Sequence, residues 1–373
     1  MQVVVTNALT ETPQVAAGFL VSAGPWSETP PWAVLDVRAR GTEFVRLPIA
    51  SILNSPQQTG MRFWSLNPYV GCEFGCSYCY ARYAHRYVVE RAPDRRLSPA
   101  ATEPSGGCGG GEFPGLPGAG IGDGGEAFER RIFVKTEAPD VVGLTLRPSR
   151  FQDHGILIGT ATDPYQPAER RFRLTRQVLE RLAQFHGLRI GLITKSPLVA
   201  RDVDVLRRLA ERNDVTVHFS IIAVDVPLVR KLEPKSPVPP VRLRALAALA
   251  KAGLRAGVLI APVLPGLTDD VPHLRALLRA AREAGAAFAG VSPLRLSPAI
   301  KPRFLPIVAR EFPALLPRYV RAFDERGNLS AEYSAALERR VERLSREAGV
   351  EEDGCTDAPA YRRTEATQWE LPL

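Results

Sequence analysis

Between residues 62 and 296, short apolar runs keep returning between stretches with the spacing of amphipathic helices, and this alternation restricts the fold more than any other property of the chain. The runs cover 62–67, 131–135 (RIFVK), 156–162 (ILIGTAT), 189–194 (RIGLIT), 215–222 (VTVHFSII), 256–263 (AGVLIAPV) and 288–296 (FAGVSPLRL). Runs this short, bounded by turn residues, read as strands. Helical patterns fill most of the gaps, at 168–185, 199–212, 240–252 and 271–284. The last two run into Gly253 and Gly285, residues suited to the left-handed backbone that closes a helix. Strands that alternate with helices pair in parallel through right-handed crossovers, so the expected class is α/β, as an open sheet or, by preference, a partial barrel.

The flanks read differently. Residues 1–60 contain the Pro-rich stretch GPWSETPPWAV and little periodicity, which predicts an irregular arm laid over a core spanning 61–300. Within that core, residues 98–125 are dominated by Gly and Pro, and such a segment buries too little apolar surface to order itself. Residues 301–373 are expected to form a helical extension and a tail. No apolar run approaches the roughly 20 residues of a membrane span. The opening MQVVVTNALT lacks the basic flank and apolar stretch of a secretion signal, so a cytoplasmic protein without membrane contact is expected. The net charge of +8 invites a nucleic-acid partner. Yet only six of the 48 basic residues are lysine, and many arginines stand beside acids in helical patterns such as AALERRVERLSREAGVEE, where ion pairs four residues apart are the plain expectation. Nucleic acid is compatible with this charge and not required by it.

Five cysteines are too few and too unevenly spread for a disulfide framework, but three of them crowd into GCEFGCSYCY, residues 71–80. Gly71 and Gly75 allow a loop in which Cys72, Cys76 and Cys79 face one point, and a metal is what such a loop serves. Two metals compete. Zinc takes four ligands, and His85 would complete a Cys3His set in a non-catalytic, metal-stabilised nucleic-acid-binding protein. A cubane iron–sulfur cluster takes one thiolate per iron, so three thiolates leave a fourth iron open to a further ligand. Cys108 and Cys355, in loose polar segments, read as incidental thiols. Polar residues stand at the ends of several predicted strands: Thr160, Thr162 and Asp163, then Lys195, then Ser220. In a barrel those ends face the site. Lys195 suits a buried carboxylate. Plainer readings exist, with Lys195 in a surface ion pair, the threonines as ordinary strand residues and Asp163 as a turn or cap.

The stretch NPYVGCEFGCSYCYAR resembles the cluster loop of the radical S-adenosylmethionine enzymes, whose three cysteines have this spacing with an aromatic residue before the third, here Tyr78. The blocks GTATDPYQPAERRFRLTR, LITKSPLVARDVDVL, KLEPKSPVPPVRLRALAALAKAGLRAGVLIAPVLPGLTDD and LRLSPAIKPRF follow in order and resemble the spore photoproduct lyase-related branch, from about Ser65 to Phe304. The resemblance implies a partial (β/α)6 barrel with an N-terminal arm and C-terminal helices. It implies a [4Fe-4S] cluster on Cys72, Cys76 and Cys79, with S-adenosyl-L-methionine on the open iron. The cofactor would be cleaved to a 5′-deoxyadenosyl radical that takes hydrogen from an unknown substrate. Ser220 and Thr162 fall where relatives hold the cofactor's polar groups, and Tyr78 and Tyr80 near its adenine. A one-electron donor of flavodoxin or ferredoxin type is the expected partner. One departure matters: spore photoproduct lyase carries a hydrogen-donating cysteine at the strand end where this chain has GTATDPY, so thymine-dimer reversal by that route is not expected. KLEPKSP, with Glu233 and Arg242, recurs in this branch without a role that the sequence assigns.

Overall fold

The computed structural model describes residues 29–89, 127–151 and 154–352. The Gly/Pro-rich segment 98–125, Cys108 and Cys355 lie outside the described residues. In chain order the strands among the described residues are β1 Val34–Val37, β2 Glu43–Arg46, β3 Leu53–Asn54, β4 Trp64–Leu66, β5 Tyr69–Val70, β6 Arg131–Val134, β7 Ile156–Ile158, β8 Arg189–Thr194, β9 Asp214–Ser220, β10 Arg255–Val263, β11 Phe288–Pro293 and β12 Glu351–Glu352.

One sheet has the order β12-β11-β10-β9-β8-β7-β4-β3. Its six strands from β4 to β11 pair side by side in parallel, which is the partial barrel expected from the alternation. β3 pairs antiparallel with β4 at one edge and β12 parallel with β11 at the other. Helices Leu174–Leu182, Val203–Ala210, Pro239–Lys251 and Val271–Glu283 make the crossovers. Each buries an apolar stripe, such as Leu274, Leu277, Leu278 and Ala281, in one continuous core with Leu192, Val217, Val258 and Ile260 of the strands. Gly253 and Gly285 adopt φ of +80° and +82°, ending their helices as the sequence predicts. Arginines on the exposed faces pair along their helices, as in Arg343–Glu347 and Arg346–Glu342. No helix among the described residues is long and apolar enough to cross a membrane.

Four expectations change. The arm is not irregular throughout: β1 and β2 form a hairpin that joins β6 and β5 in a second sheet, order β1-β2-β6-β5. The run RIFVK accordingly leaves the barrel, with Val45 of β2 opposite Phe133 of β6. The run ILIGTAT ends as a strand at Ile158, because Gly159 turns to φ +93° and a Cβ there would stand 2.5 Å from the Ile193 carbonyl. Thr160, Thr162 and Asp163 therefore lie on the loop after β7. The helix expected over 168–185 breaks at Arg173, φ +51°. Buried Glu169 causes the restart, its carboxylate accepting from the backbone N–H of Thr175 at 2.9 Å and of Arg176 at 3.2 Å, which caps the second segment.

Gly257 in β10 marks the tightest approach within the barrel sheet, since an added Cβ would meet the Phe288 carbonyl oxygen at 2.3 Å and its ring at 2.5 Å. Replacement Gly257→Ala is expected to cost about 1–3 kcal/mol through overpacking, read as a lower urea midpoint at unchanged slope.

Candidate metal centre

The chain leaves β4, passes through β5 and enters the cysteine loop at Gly71. That glycine has φ +92°, and a Cβ would lie 2.9 Å from the carbonyls of both Phe128 and Arg131. Gly75 has φ +64°, and a Cβ would meet the Glu129 carboxylate at 2.5 Å. Both glycines are thus required by close approach as well as by backbone sign. The loop is tied down at its start, middle and end. The Gly71 carbonyl accepts from Thr162 Oγ1 at 2.6 Å and from Gln166 Nε2 at 3.0 Å, while the Glu73 N–H donates to Gln166 Oε1 at 3.0 Å. The Cys72 N–H donates to the Phe128 carbonyl at 2.9 Å and the Ser77 N–H to the Leu232 carbonyl at 2.9 Å.

Cys72, Cys76 and Cys79 are unpaired. They pack in a second apolar cluster with Phe74, Tyr78, Leu232, Leu264, Phe304 and Tyr319, the last two from the C-terminal extension. Burial raises all three thiols, Cys76 to about 12, and the Cys72 thiol is raised further by Asp163 and by its two sister cysteines. Three soft donors that feel one another in an apolar pocket fit a cationic iron–sulfur group, which would stabilise their thiolates. The zinc alternative needs His85 as its fourth ligand, and its Nε2 is engaged elsewhere. His85 Nε2 lies 3.0 Å from the Arg131 carbonyl, and its ring packs on Phe128 and Phe133. Among the described residues no three His, Cys, Asp or Glu side chains converge on a single ion. A cubane spreads its thiolates over separate irons and so holds them further apart than one ion does.

The strand-end residues gather beside this loop. Lys195 Nζ donates to Ser220 Oγ at 2.8 Å and stands 5.9 Å from the centre of the Tyr78 ring. Burial alone would lower its pKa, but Cys76, where it ionises, and the Glu233 carboxylate outweigh burial and hold the ammonium above its ordinary value. Asp163 accepts from the Lys195 N–H at 2.7 Å, from Thr194 Oγ1 at 2.7 Å and from the Tyr165 N–H at 2.9 Å, so it caps a turn and also fixes the backbone of Lys195. Thr160 Oγ1 bonds Ser65 at 2.6 Å and Asn67 at 3.0 Å, while its carbonyl accepts from the Tyr80 hydroxyl. Thr162 faces the cysteine loop, and Ser220 Oγ donates to the Ala261 carbonyl at 3.0 Å. His218 is a satisfied core residue, 3.1 Å from Thr216 Oγ1.

KLEPKSP acquires its role here. Glu233 and Arg242 form a fully buried ion pair. The Tyr78 hydroxyl donates to Glu233, Ser236 Oγ donates to it at 2.8 Å, and Arg242 donates to the carbonyls of Ser220 and Pro237, each at 2.7 Å. The cysteine loop, the end of β9 and the helix Pro239–Lys251 are thereby tied at one point. A second hub is Glu129, which takes Arg82, Lys235 and Arg303 against Gly75. Gln166, Asn67 and Glu129 are partners that sequence reasoning did not single out. The first two lie inside the quoted blocks GTATDPYQPAERRFRLTR (Gln166) and NPYVGCEFGCSYCYAR (Asn67), which was their available signal.

Replacement Glu233→Gln leaves the Arg242 charge buried without a counter-charge and is expected to cost about 3–5 kcal/mol in urea unfolding. Burial would raise the Glu233 pKa, but Arg242 and Lys195 outweigh it and set it below the usual 4.5. The pair therefore stabilises fully above pH 4.5 and is lost as pH falls below it, so the wild type is expected to lose stability more steeply than Glu233→Gln on that acid limb.

Similarity to known proteins agrees with this geometry. Residues 66–278 match the family model of the Radical SAM superfamily. An uncharacterised protein of Mycobacterium bovis is 31% identical over 303 residues, covering 81% of this chain and 79% of its own. One from Methanocaldococcus jannaschii is 24% identical over 227 residues, covering 61% of this chain and 70% of its own. Among solved structures, spore photoproduct lyase complexed with dinucleoside spore photoproduct superposes with a TM-score of 0.55 at 14% identity, over 82% of this chain and 79% of that one, a likeness of fold. The chain belongs to the Radical SAM superfamily, and its cofactors are a [4Fe-4S] cluster and S-adenosylmethionine.

Proposed function

We propose that Cys72, Cys76 and Cys79 hold the cluster and that Lys195, Ser220, Tyr78 and Tyr80 hold S-adenosylmethionine for hydrogen abstraction from a substrate yet to be identified. The observation that carries this reading is the placement of the Lys195 ammonium against the Tyr78 ring with its hydrogen bond to Ser220 Oγ. When bound, the cluster and its ligand supply a one-electron cleavage that yields methionine and a 5′-deoxyadenosyl radical. Lys195 neutralises the cofactor's carboxylate, with the Ser220 hydroxyl beside it. Tyr78 is fixed through its hydroxyl on Glu233, and Tyr80 through its hydroxyl on the Thr160 carbonyl, so each ring has one orientation to offer an adenine. Asp163 sets Lys195, Thr162 and Gln166 set the loop, and the apolar cluster around Cys76 excludes water from the reacting centre.

The reaction differs from thiol-dependent dimer reversal. The loop after β7 reads Gly159, Thr160, Ala161, Thr162, Asp163, and the only cysteines among the described residues are the three on the cluster loop. Among the described residues no thiol stands at that strand end to return a hydrogen. The reductant is a one-electron carrier.

Anaerobic reconstitution with iron and sulfide, followed by dithionite and S-adenosylmethionine, is expected to yield 5′-deoxyadenosine, with Cys76→Ser lacking both the brown absorbance and the product. An intact cluster that produces none sinks the enzymatic reading. Lys195→Ala is expected to weaken S-adenosylmethionine binding about 10–100-fold, the worth of a charged hydrogen bond, at unchanged iron content. Unchanged affinity in a calorimetric titration removes the assignment of that lysine.

A further inference from the structure

Glu73 stands between the first two cysteines of the loop, and its backbone and side chain are held from different parts of the chain. Its N–H donates to Gln166 Oε1 at 3.0 Å, while one carboxylate oxygen pairs with Arg38. The side chain is only 9% exposed, and its second oxygen, Oε2, is buried. Among the described residues Arg38 is the one cation within ion-pair distance of Glu73, because Lys235 pairs with Glu129 instead. A buried carboxylate with a single counter-charge depends on it. Without that cation the charge is at ease only in water, and turning toward water displaces the loop that carries it.

Arg38 is held ready for this contact. It sits at the tip of the β1–β2 hairpin, where its N–H donates to the Thr42 carbonyl at 2.9 Å and its carbonyl accepts from the Gly41 N–H at 2.8 Å, a turn that Gly41 closes at φ +78°. Its guanidinium lies 4.9 Å from the centre of the Phe44 ring. Phe44 is fully buried, packs on Phe172 at 5.3 Å between ring centres, and stands opposite Ile132 of β6. Asp36 adds a second tie, 3.0 Å from Arg171 on the segment after β7. The hairpin thus presents a fixed cation to a loop 35 residues further along the chain.

We propose that Arg38 is a positioning residue of the metal centre: through its ion pair with Glu73 it clamps the turn from Cys72 to Cys76 in the shape that receives the cluster, which makes the N-terminal hairpin a working part of the site. The proposal rests on the reading that the three cysteines hold the cluster. Gln166 fixes the main chain of Glu73 and Arg38 fixes its side chain, so the two holds are complementary. Simple anchoring of the hairpin would give the Asp36–Arg171 pair the same importance as Arg38–Glu73, whereas clamping of the loop gives it to Arg38 alone.

The test uses the full chain in two states. In the iron-free chain, alkylation of Cys72, Cys76 and Cys79 by iodoacetamide, located by peptide mass spectrometry, reads how often the loop opens. Arg38→Met, which keeps the reach of the side chain and removes its charge, is expected to speed that alkylation about tenfold or more. In the reconstituted chain the same variant is expected to release iron to a chelator about tenfold faster. Arg38→Lys keeps the charge without the fork and is expected to stay within about threefold of wild type in both measurements. The double variant Arg38→Met/Glu73→Gln leaves no buried charge alone and is expected to open more slowly than Arg38→Met. Asp36→Asn, which loosens the hairpin at its other tie, is expected within about twofold of wild type. If Arg38→Met does not fold, Glu73→Gln carries the same test, since its part-exposed partner rehydrates, and faster alkylation than in Asp36→Asn is expected. Wild-type rates in Arg38→Met overturn the proposal, as does an Arg38→Lys no better than Arg38→Met. An Asp36→Asn that opens the loop as far as Arg38→Met overturns it in favour of plain anchoring. A wild type that takes up no iron indicts the assignment of the cysteines to the cluster, while alkylation still judges the clamp.

Discussion

A glutamate and an arginine with no exposed surface, Glu233 and Arg242, are the interaction on which the site depends. Taking both charges out of water is costly, and attraction between them compensates only if their remaining hydrogen-bonding capacity is filled. It is filled by Tyr78, Ser236 and the carbonyls of Ser220 and Pro237. Because those partners come from three separate segments, the requirement to satisfy two buried charges dictates where the cysteine loop meets the barrel. Lys195 belongs to the same balance of charge, since Glu233 helps keep it protonated in spite of its burial.

The cysteine loop makes its connections mainly through its own backbone. Thr162 and Gln166 grip the Gly71 carbonyl, Gln166 also takes the Glu73 N–H, and Leu232 takes the Ser77 N–H. Side chains on the loop are thereby left for packing and, on the proposed assignment, for the metal. The glycines serve the same end, because at Gly71 and Gly75 neighbouring carbonyl or carboxylate oxygens occupy the space of a Cβ. Thr162 and Asp163, which from sequence read as candidate cofactor contacts, brace the scaffold directly: one holds the loop and the other holds the lysine.

How much of this was readable in advance follows from the range of each interaction. Strands β8 to β11 and their crossovers are dense local runs of apolar residues, and the sequence pattern finds them. β1 and β2, VLDV and EFVR, carry no such run. They exist because β6, some 90 residues later, supplies the pairing that a two-stranded hairpin lacks. The cysteine spacing is local and was equally plain, whereas Glu129 and Gln166 matter only through atoms that folding brings to them. Strand-end position predicted that Lys195 and Ser220 would face the same side of the barrel, and the two are hydrogen-bonded. The break at Arg173 was invisible because its cause, a buried carboxylate capping the following segment, is written in no periodicity.

The apolar cluster that holds Cys76 includes Phe304 and Tyr319, which a ribosome delivers long after the cysteines themselves. Until those aromatics arrive, the apolar cluster around the loop is incomplete. On the proposed assignment of Cys72, Cys76 and Cys79, loading of an oxygen-sensitive cubane is therefore best timed after release of the whole polypeptide.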